Sequence, residues 1–250
     1  MTYEEYTEAE KKRLEINIGH MEKGVAFVDI KTAYIGEEVK IGAGTVIGPC
    51  VTLEGKTAIG CDCRIMQNTR IADSLIEDHV EVQSSVIVES SVGEGTKVGP
   101  FAYMRPQSRV GKNCKVGDFV EIKNSSFGDG SKASHLTYIG DSDVGCDVNL
   151  GCGVVFVNYD GTNKYRSTVG DGAFIGCNSN LVSPVTVGDG AYVAAGSTVT
   201  EDVEADALYI ARSRGVKKQG WVSSKGILKK KKNNCQITLI AGKERRGTKK

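Results

Sequence analysis

The sequence has no uninterrupted apolar run of membrane-spanning length and no apolar core near its start of the kind a secretion signal needs. A membrane span is therefore not expected, and the cytoplasm is the expected location. Histidine is scarce: His20, His79 and His135 are the only three in 250 residues, so imidazole chemistry has few candidates. A zinc set is also missing. Cys61 and Cys63 are the only closely spaced cysteine pair and no second pair complements them, so no metal is expected. The eight cysteines (Cys50, Cys61, Cys63, Cys114, Cys146, Cys152, Cys177 and Cys235) fall in a reducing compartment on this reading. Most take positions that elsewhere hold Ala, Ser or Val, and they read as small buried apolar side chains.

Charge is nearly balanced, at a formal net +1, but it is unevenly placed. Twelve Lys or Arg against the single acid Glu244 fill Lys217–Lys250, which leaves the preceding residues acidic. The segment reads as a solvated basic tail; contact of the run Lys229–Lys232 with nucleic acid or an anionic surface is the lesser alternative. The stretch QITLIAG that follows suggests a short terminal strand.

What the chain has in abundance is a period of six. An aliphatic residue followed by a small one recurs from Ile35 to Val203, as in IGEEVK, IGAGTV, IGPCVT, VGEGTK, VGDGAF and VGDGAY. Six residues make one short strand and one corner, and three units return the chain to its starting direction about 4.8 Å higher. Such a unit cannot bury its own apolar face, so it is stable only when coils stack. The expected fold is all-β, a left-handed parallel β-helix of hexapeptide repeats with triangular coils. Ile41, Ile47, Ile59, Val116, Val144, Val169 and Val187 are expected to point inwards, and the following Gly to ease the corner. Five-residue units at Ile71–Leu75, Ile122–Ser126 and Ile139–Asp143 trim a corner. Between Val154 and Val169 the string VVFVNYDGTNKYRST leaves the register, which predicts a polar loop projecting from the prism.

The division that follows is a helical arm over residues 1–24, the β-helix over 25–222 and the basic tail over 223–250. In the arm, Tyr6, Leu14, Ile16, Ile18 and Met21 recur at helical spacing and Gly24 is the expected stop.

A solenoid alone proves no chemistry; particular residues have to. The strings RPQSRV at Arg105, GDFVEIKNS at Gly117, SHLTYIGD at Ser134, VGCDVNLG at Val144 and VNYDGTNK ending at Lys164, with VTVGDGA, AAGSTVT and RSRGVKKQGW further on, resemble the C-terminal acetyltransferase domain of the bacterial bifunctional enzyme that acetylates glucosamine 1-phosphate and then uridylylates the product. The resemblance covers most of residues 35–222. It implies that His135 is the catalytic base, and a neutral imidazole suits an amine that loses its proton while attacking a thioester. Glu121 matches an acidic position that orients the imidazole, though a solvent-facing strand Glu accounts for it equally well. Arg105 and Lys123 correspond to residues that hold the sugar phosphate, and both types suit an anion. Tyr138, Asn149 and Lys164 correspond to further sugar-site positions.

For the co-substrate, acetyl-CoA, the resemblance points to Cys152, Asn158, Tyr159, Cys177, Ala195 and Arg212. Cys152 and Cys177 stand where the family commonly has Ala and Ser; neither has a base beside it in the motif, so neither reads as a nucleophile. Nothing in residues 1–24 offers the Gly-rich phosphate loop of a nucleotidyltransferase. The expectation is a stand-alone acetyltransferase that makes no UDP-sugar itself and depends on a separate nucleotidyltransferase. The resemblance also implies a homotrimer with the site between subunits. Two rivals remain, a hexapeptide acyltransferase for another sugar or sugar nucleotide, and a non-catalytic trimeric scaffold.

Overall fold

The computed structural model describes residues 1–226; Lys229–Lys232, QITLIAG and Cys235 lie outside the described residues. From Ala26 to Tyr209 the chain winds through thirty short parallel strands in three sheets of eleven, ten and nine. In each sheet the neighbour is the strand three places along the chain, except at the end of the eleven-stranded sheet, where Tyr192–Val193 pairs with Leu208–Tyr209, two places on. One coil therefore contributes one strand to each face of a three-sided solenoid. Residues 213–226 form a separate unit with a four-residue helix, Trp221–Ser224. No helix among the described residues is long and apolar enough to cross a membrane.

The aliphatic residue of each hexad points inwards. Ile47, Leu53, Ile65, Ile71, Val116 and Ile122 are completely buried and belong to one continuous core. A second inward position, four residues on, is small and mostly hydroxylated: Thr45, Thr57, Thr96, Ser131. Its polar atom is satisfied along the solenoid axis. Thr45 Oγ1 donates to the carbonyl of Gly60 at 2.8 Å and accepts the N–H of Cys63 at 3.0 Å. Thr96 does the same with Gly111 and Cys114, at 2.7 and 2.9 Å. A hydroxyl is tolerated in the core where it has such partners; Thr69 Oγ1, at the same inward position, is buried without one.

Cysteines divide along this pattern. Cys63 and Cys114 take the second inward position, reach the carbonyls of Glu77 and Gly128 at 3.1 Å each, and have their thiol pKa values raised by burial. Against expectation, Cys50, Cys61, Cys146 and Cys177 are exposed and Cys152 is half-buried. They stand two or three residues after the aliphatic position, on the outside of a corner.

The corner glycines also work differently from expectation. Gly42 and Gly60 do not have positive φ; that conformation falls to later corner residues such as Asp62, Asn68 and Phe119. A Cβ on Gly42 would instead lie 2.6 Å from the backbone of Gly60 on the next coil. Its small size serves close stacking between coils. The five-residue steps expected after Ile71, Ile122 and Ile139 are present, and two more, Val82 to Ile87 and Ile87 to Val92, join them.

Helix α1, Tyr3–Met21, opens with a capping box in which Thr2 Oγ1 accepts the N–H of Glu5 and the Glu5 carboxylate accepts that of Thr2. Its buried residues are Asn17 and His20, whereas Tyr6, Ile18 and Met21 are exposed. Of the apolar pattern only Leu14 and Ile16 turn towards the solenoid, half-buried, with Ile16 against the core; polar residues make the rest of the docking face. Asn17 donates to the carbonyls of Ile30 and Ala33 at 3.0 Å each, Arg13 donates to Ala33 at 2.8 Å, and the Arg13 guanidinium lies 4.7 Å from the centre of the Tyr34 ring. The first coil has no preceding coil to meet its carbonyls, so the helix docks with polar side chains that do.

The projecting segment is present between Val155–Val157 and Ser167–Val169. It is tied to its own solenoid more firmly than its polar composition suggests: Arg166 donates to Asp143 through Nε at 2.5 Å and Nη2 at 2.6 Å, and through Nη1 to the carbonyl of Asn124 at 2.9 Å.

Candidate functional site

Of the residues singled out from the sequence, His135, Cys152, Cys177 and Ala195 stand where the first sheet turns into the second, and Arg105, Lys123 and Tyr138 lie along the second sheet. Strands Lys115–Asp118 and Lys132–His135 are the only four-residue strands described, and their ladder runs to a pairing of Asp118 with His135. Above it, Ala133 pairs with Leu150, Leu150 with Ile175 and Ile175 with Val193. Two residues past each of these positions stand His135, Cys152, Cys177 and Ala195, one per coil in a single column. Backbone links in the same place join the upper members, with Asn178 N–H on the carbonyl of Cys152 and Gly196 N–H on that of Cys177, both at 2.8 Å, while at the His135 step Gly153 N–H meets the carbonyl of Leu136 at 3.1 Å. Arg212 meets the top of the column, its Cδ 3.8 Å from where a Cβ on Gly196 would be.

On the second sheet, next to this corner, Tyr103, Glu121 and Tyr138 form one outward row. Arg105 and Lys123 follow one residue past the inward Met104 and Ile122, which are themselves paired. The ring of Tyr138 lies over Gly140, where a Cβ would be 2.4 Å from the phenol oxygen, and Gly140 pairs with Lys123. Glycine at 140 thus makes room for the phenol beside the ammonium. Asn149 faces outwards from the first sheet, between Lys132 and Phe174, on the other side of the corner from Arg105 and Lys123.

Three contacts change the reading of individual residues. Glu121 does not orient His135; it accepts from Arg105 Nη1 at 2.9 Å and raises the guanidinium pKa. Asp118 takes that place, its Oδ1 2.5 Å from His135 Nδ1, and this hydrogen bond holds the exposed carboxyl below its ordinary pKa. Asn158 belongs to a different corner from Cys152, Cys177 and Ala195. Its amide donates to Asp141 at 2.5 Å, as do Lys123 Nζ at 2.9 Å and Asn124 at 2.7 Å. Tyr159 is exposed, pairs across the loop with Lys164 and donates its hydroxyl to the carbonyl of Gly161 at 2.6 Å.

Asp141 is 7 % exposed. Burial pushes its pKa up, but hydrogen bonds from Asn124, Lys123 and Asn158 and the Lys123 charge outweigh this and leave it lowered. For Lys123 burial acts downwards, and the Asp141 carboxylate outweighs it to leave the ammonium raised. Both groups are therefore charged at neutral pH. Sequence reasoning passed over Asp118 and Asp141. For Asp118 there was a signal: it precedes His135 by the same interval that separates the paired inward residues Val116 and Ala133. The site as a whole is an open corner with a cationic side and a thiol-bearing column, joined at an imidazole.

The family model for the bacterial transferase hexapeptide (six repeats) matches residues 89–124 and 166–201. The chain is 54 % identical over 214 residues to the bifunctional protein GlmU of Clostridium beijerinckii, covering 86 % of this chain and 47 % of that protein. With the protein of the same name from Clostridioides difficile it is 55 % identical over 213 residues, 85 % of this chain and 46 % of that one. It thus spans about half the length of the curated relatives it matches. Among solved structures, the UDP-N-acetylglucosamine acyltransferase of Bacteroides fragilis aligns with a TM-score of 0.52 at 18 % identity, over 73 % of this chain and 70 % of the other. The Arabidopsis UDP-N-acetylglucosamine acyltransferase aligns at 0.50 and 16 %, over 79 % and 76 %. These two show the fold alone.

Proposed function

We propose that this chain, a hexapeptide-repeat homologue of about half of the bifunctional GlmU proteins, corresponds to their acetyltransferase part and converts glucosamine 1-phosphate to N-acetylglucosamine 1-phosphate with acetyl-CoA as donor. The observation that carries the reading is the column of His135, Cys152, Cys177 and Ala195 flanked on one side by Arg105, Lys123 and Tyr138. A thioester laid along the column brings its carbonyl to His135, and a sugar phosphate held by the two cations brings its amine to the same place. His135 takes the amine proton as nitrogen adds to the carbonyl carbon, the carbon–sulfur bond breaks, and CoA leaves as the thiol once protonated. Backbone N–H groups at the corner stabilise the oxyanion, and holding both substrates together supplies proximity. Cys152 and Cys177 line the donor as small side chains, and no metal is needed for these steps.

Purified protein given acetyl-CoA and a panel of amino sugar phosphates tests the reading by free-thiol release. Release with glucosamine 1-phosphate is expected. Release only with another acceptor would make the chain a different hexapeptide acyltransferase, and release with none would favour the scaffold.

Arg105→Ala and Lys123→Ala should each weaken the sugar phosphate far more than acetyl-CoA. Charge-assisted hydrogen bonds contribute on the order of 1.5 to 3 kcal/mol, so the loss in kcat/KM is roughly ten-fold to more than a hundred-fold. The two changes should not add, because they share one ligand. Steady-state kinetics with each substrate varied in turn checks this; a raised KM for acetyl-CoA alone would reverse the assignment of the two sides.

The working form on this reading is a homotrimer. Supporting it, Asn149 faces outwards from the first sheet, across the corner from Arg105 and Lys123 on the second, so one chain does not gather all the sugar-site residues. Sedimentation equilibrium should return three times the 26.7 kDa chain mass. A fully active monomer would remove the shared site.

A further inference from the structure

We infer that Asp118 is a positioning residue for the base: its carboxylate accepts the Nδ1–H of His135, holds the imidazole in the tautomer whose Nε2 carries the free lone pair, and faces the positive ring that forms when the amine proton arrives. The inference rests on the reading of His135 as the base. It stands on how the corner is built. The two strands that carry the pair are the longest described, and their ladder is carried two residues past the buried Val116 and Ala133 to reach Asp118 and His135. Gly117 makes the approach possible, because a Cβ there would lie 1.9 Å from the carbonyl oxygen of Ser134. The coils close at that step, Leu136 N–H bonds the carbonyl of Asp118 at 2.9 Å, and Oδ1 comes to 2.5 Å from Nδ1.

The tautomer follows from the donor inventory. An ionised carboxylate only accepts, so a neutral imidazole bonded to it through Nδ1 must carry its proton there. Nε2 is then unprotonated and free to take a proton from the amine. During the transfer the N–H bond of the attacking amine breaks, a new N–H bond forms at Nε2, and Asp118 stays ionised beside the imidazolium. Glu121, committed to Arg105, does not compete for the role.

The test uses full-length protein labelled with nitrogen-15 histidine, with the His135 signals identified by their loss in His135→Ala. In the wild type the neutral ring is expected to be protonated at Nδ1. In Asp118→Ala the proton should move predominantly to Nε2, as in free histidine, while kcat falls roughly ten- to a hundred-fold, the size of coupling between directly contacting groups, with both KM values held. Asp118→Asn, which keeps the side-chain volume, should also change the tautomer ratio and lower kcat, and covers the case in which the alanine variant does not fold. A wild-type ring protonated at Nε2, a tautomer unchanged by both variants, or a loss that falls on KM alone would overturn the inference. If the wild type acetylates no amino sugar phosphate, the function proposed above fails, and the tautomer comparison still decides the role of Asp118.

Discussion

His135→Ala lowers turnover by roughly 100-fold to 10,000-fold, the scale for loss of a positioned general base, and leaves the solenoid standing. The size of the effect follows from the absence of a substitute. His79 stands on the solenoid about three coils earlier and His20 is a buried residue of helix α1, so neither can reach the corner where Cys152 and Cys177 stack. The side chain of His135 is more than half exposed, and its hydrogen bond is to Asp118. Loss of activity should therefore come without loss of stability. Single-turnover acetyl transfer and a thermal melt, measured on the same preparation, check both halves. Turnover near that of the wild type in a folded variant would remove His135 from the mechanism, and a large drop in melting temperature would mean that the residue is structural.

Asp141→Ala should have the largest effect on stability of any single change near the site. The carboxylate is buried and is the acceptor for Lys123, Asn124 and Asn158. Removing it leaves a largely buried ammonium without its counter-charge, and breaking a buried pair from one side costs about 3–5 kcal/mol. Asp141→Asn keeps an acceptor and the side-chain volume, so it should cost less. The dependence on pH follows from the lowered pKa of Asp141. Its stabilising contribution is fully present above the ordinary carboxylate value of about 3.9 and is lost as pH falls through the lower folded value. Urea midpoints of the wild type and Asp141→Asn should therefore differ more at neutral pH than in acid. A gap that stays constant with pH would mean that the charge of Asp141 contributes nothing. The same variant should weaken the sugar phosphate, since Lys123 is one of its two proposed anchors.

How much of this was legible beforehand differs between residues. The solenoid was, because a six-residue repeat with one aliphatic position has a single way to bury it, and Ile47, Leu53 and Ile65 are buried as the period requires. His135, Arg105, Lys123 and Tyr138 were picked out through their motifs; Tyr138 and Lys123 lie on neighbouring strands of the second sheet with Arg105 one coil away, and His135 stands at the end of the first-sheet strand that precedes Tyr138. The cysteines were misread because composition does not distinguish the inward position of Cys63 and Cys114 from the corner positions of Cys50, Cys61, Cys146 and Cys177; the two differ only in their offset from the aliphatic residue. Helix α1 was legible as a helix but only in part in its docking face, because the first coil offers unmet carbonyls of Ile30 and Ala33, and these select Asn17 and Arg13 over Ile18 and Met21.

Periodicity, burial of one aliphatic residue per unit and the type of chemistry are properties that each short segment carries within itself, and the sequence determined them. The partners of His135 and Lys123 were decided by tertiary structure. A side chain on one coil meets residues on the next only after a whole circuit of the solenoid, and every five-residue step along that circuit moves the meeting point by one. The shortened step from Ile122 to Phe127 puts Asp118, and no residue one place away, beside His135, leaving Glu121 to Arg105. Asp141 likewise gathers Lys123, Asn124 and Asn158 because the coils above and below it stack in that register, which no local stretch of the chain encodes.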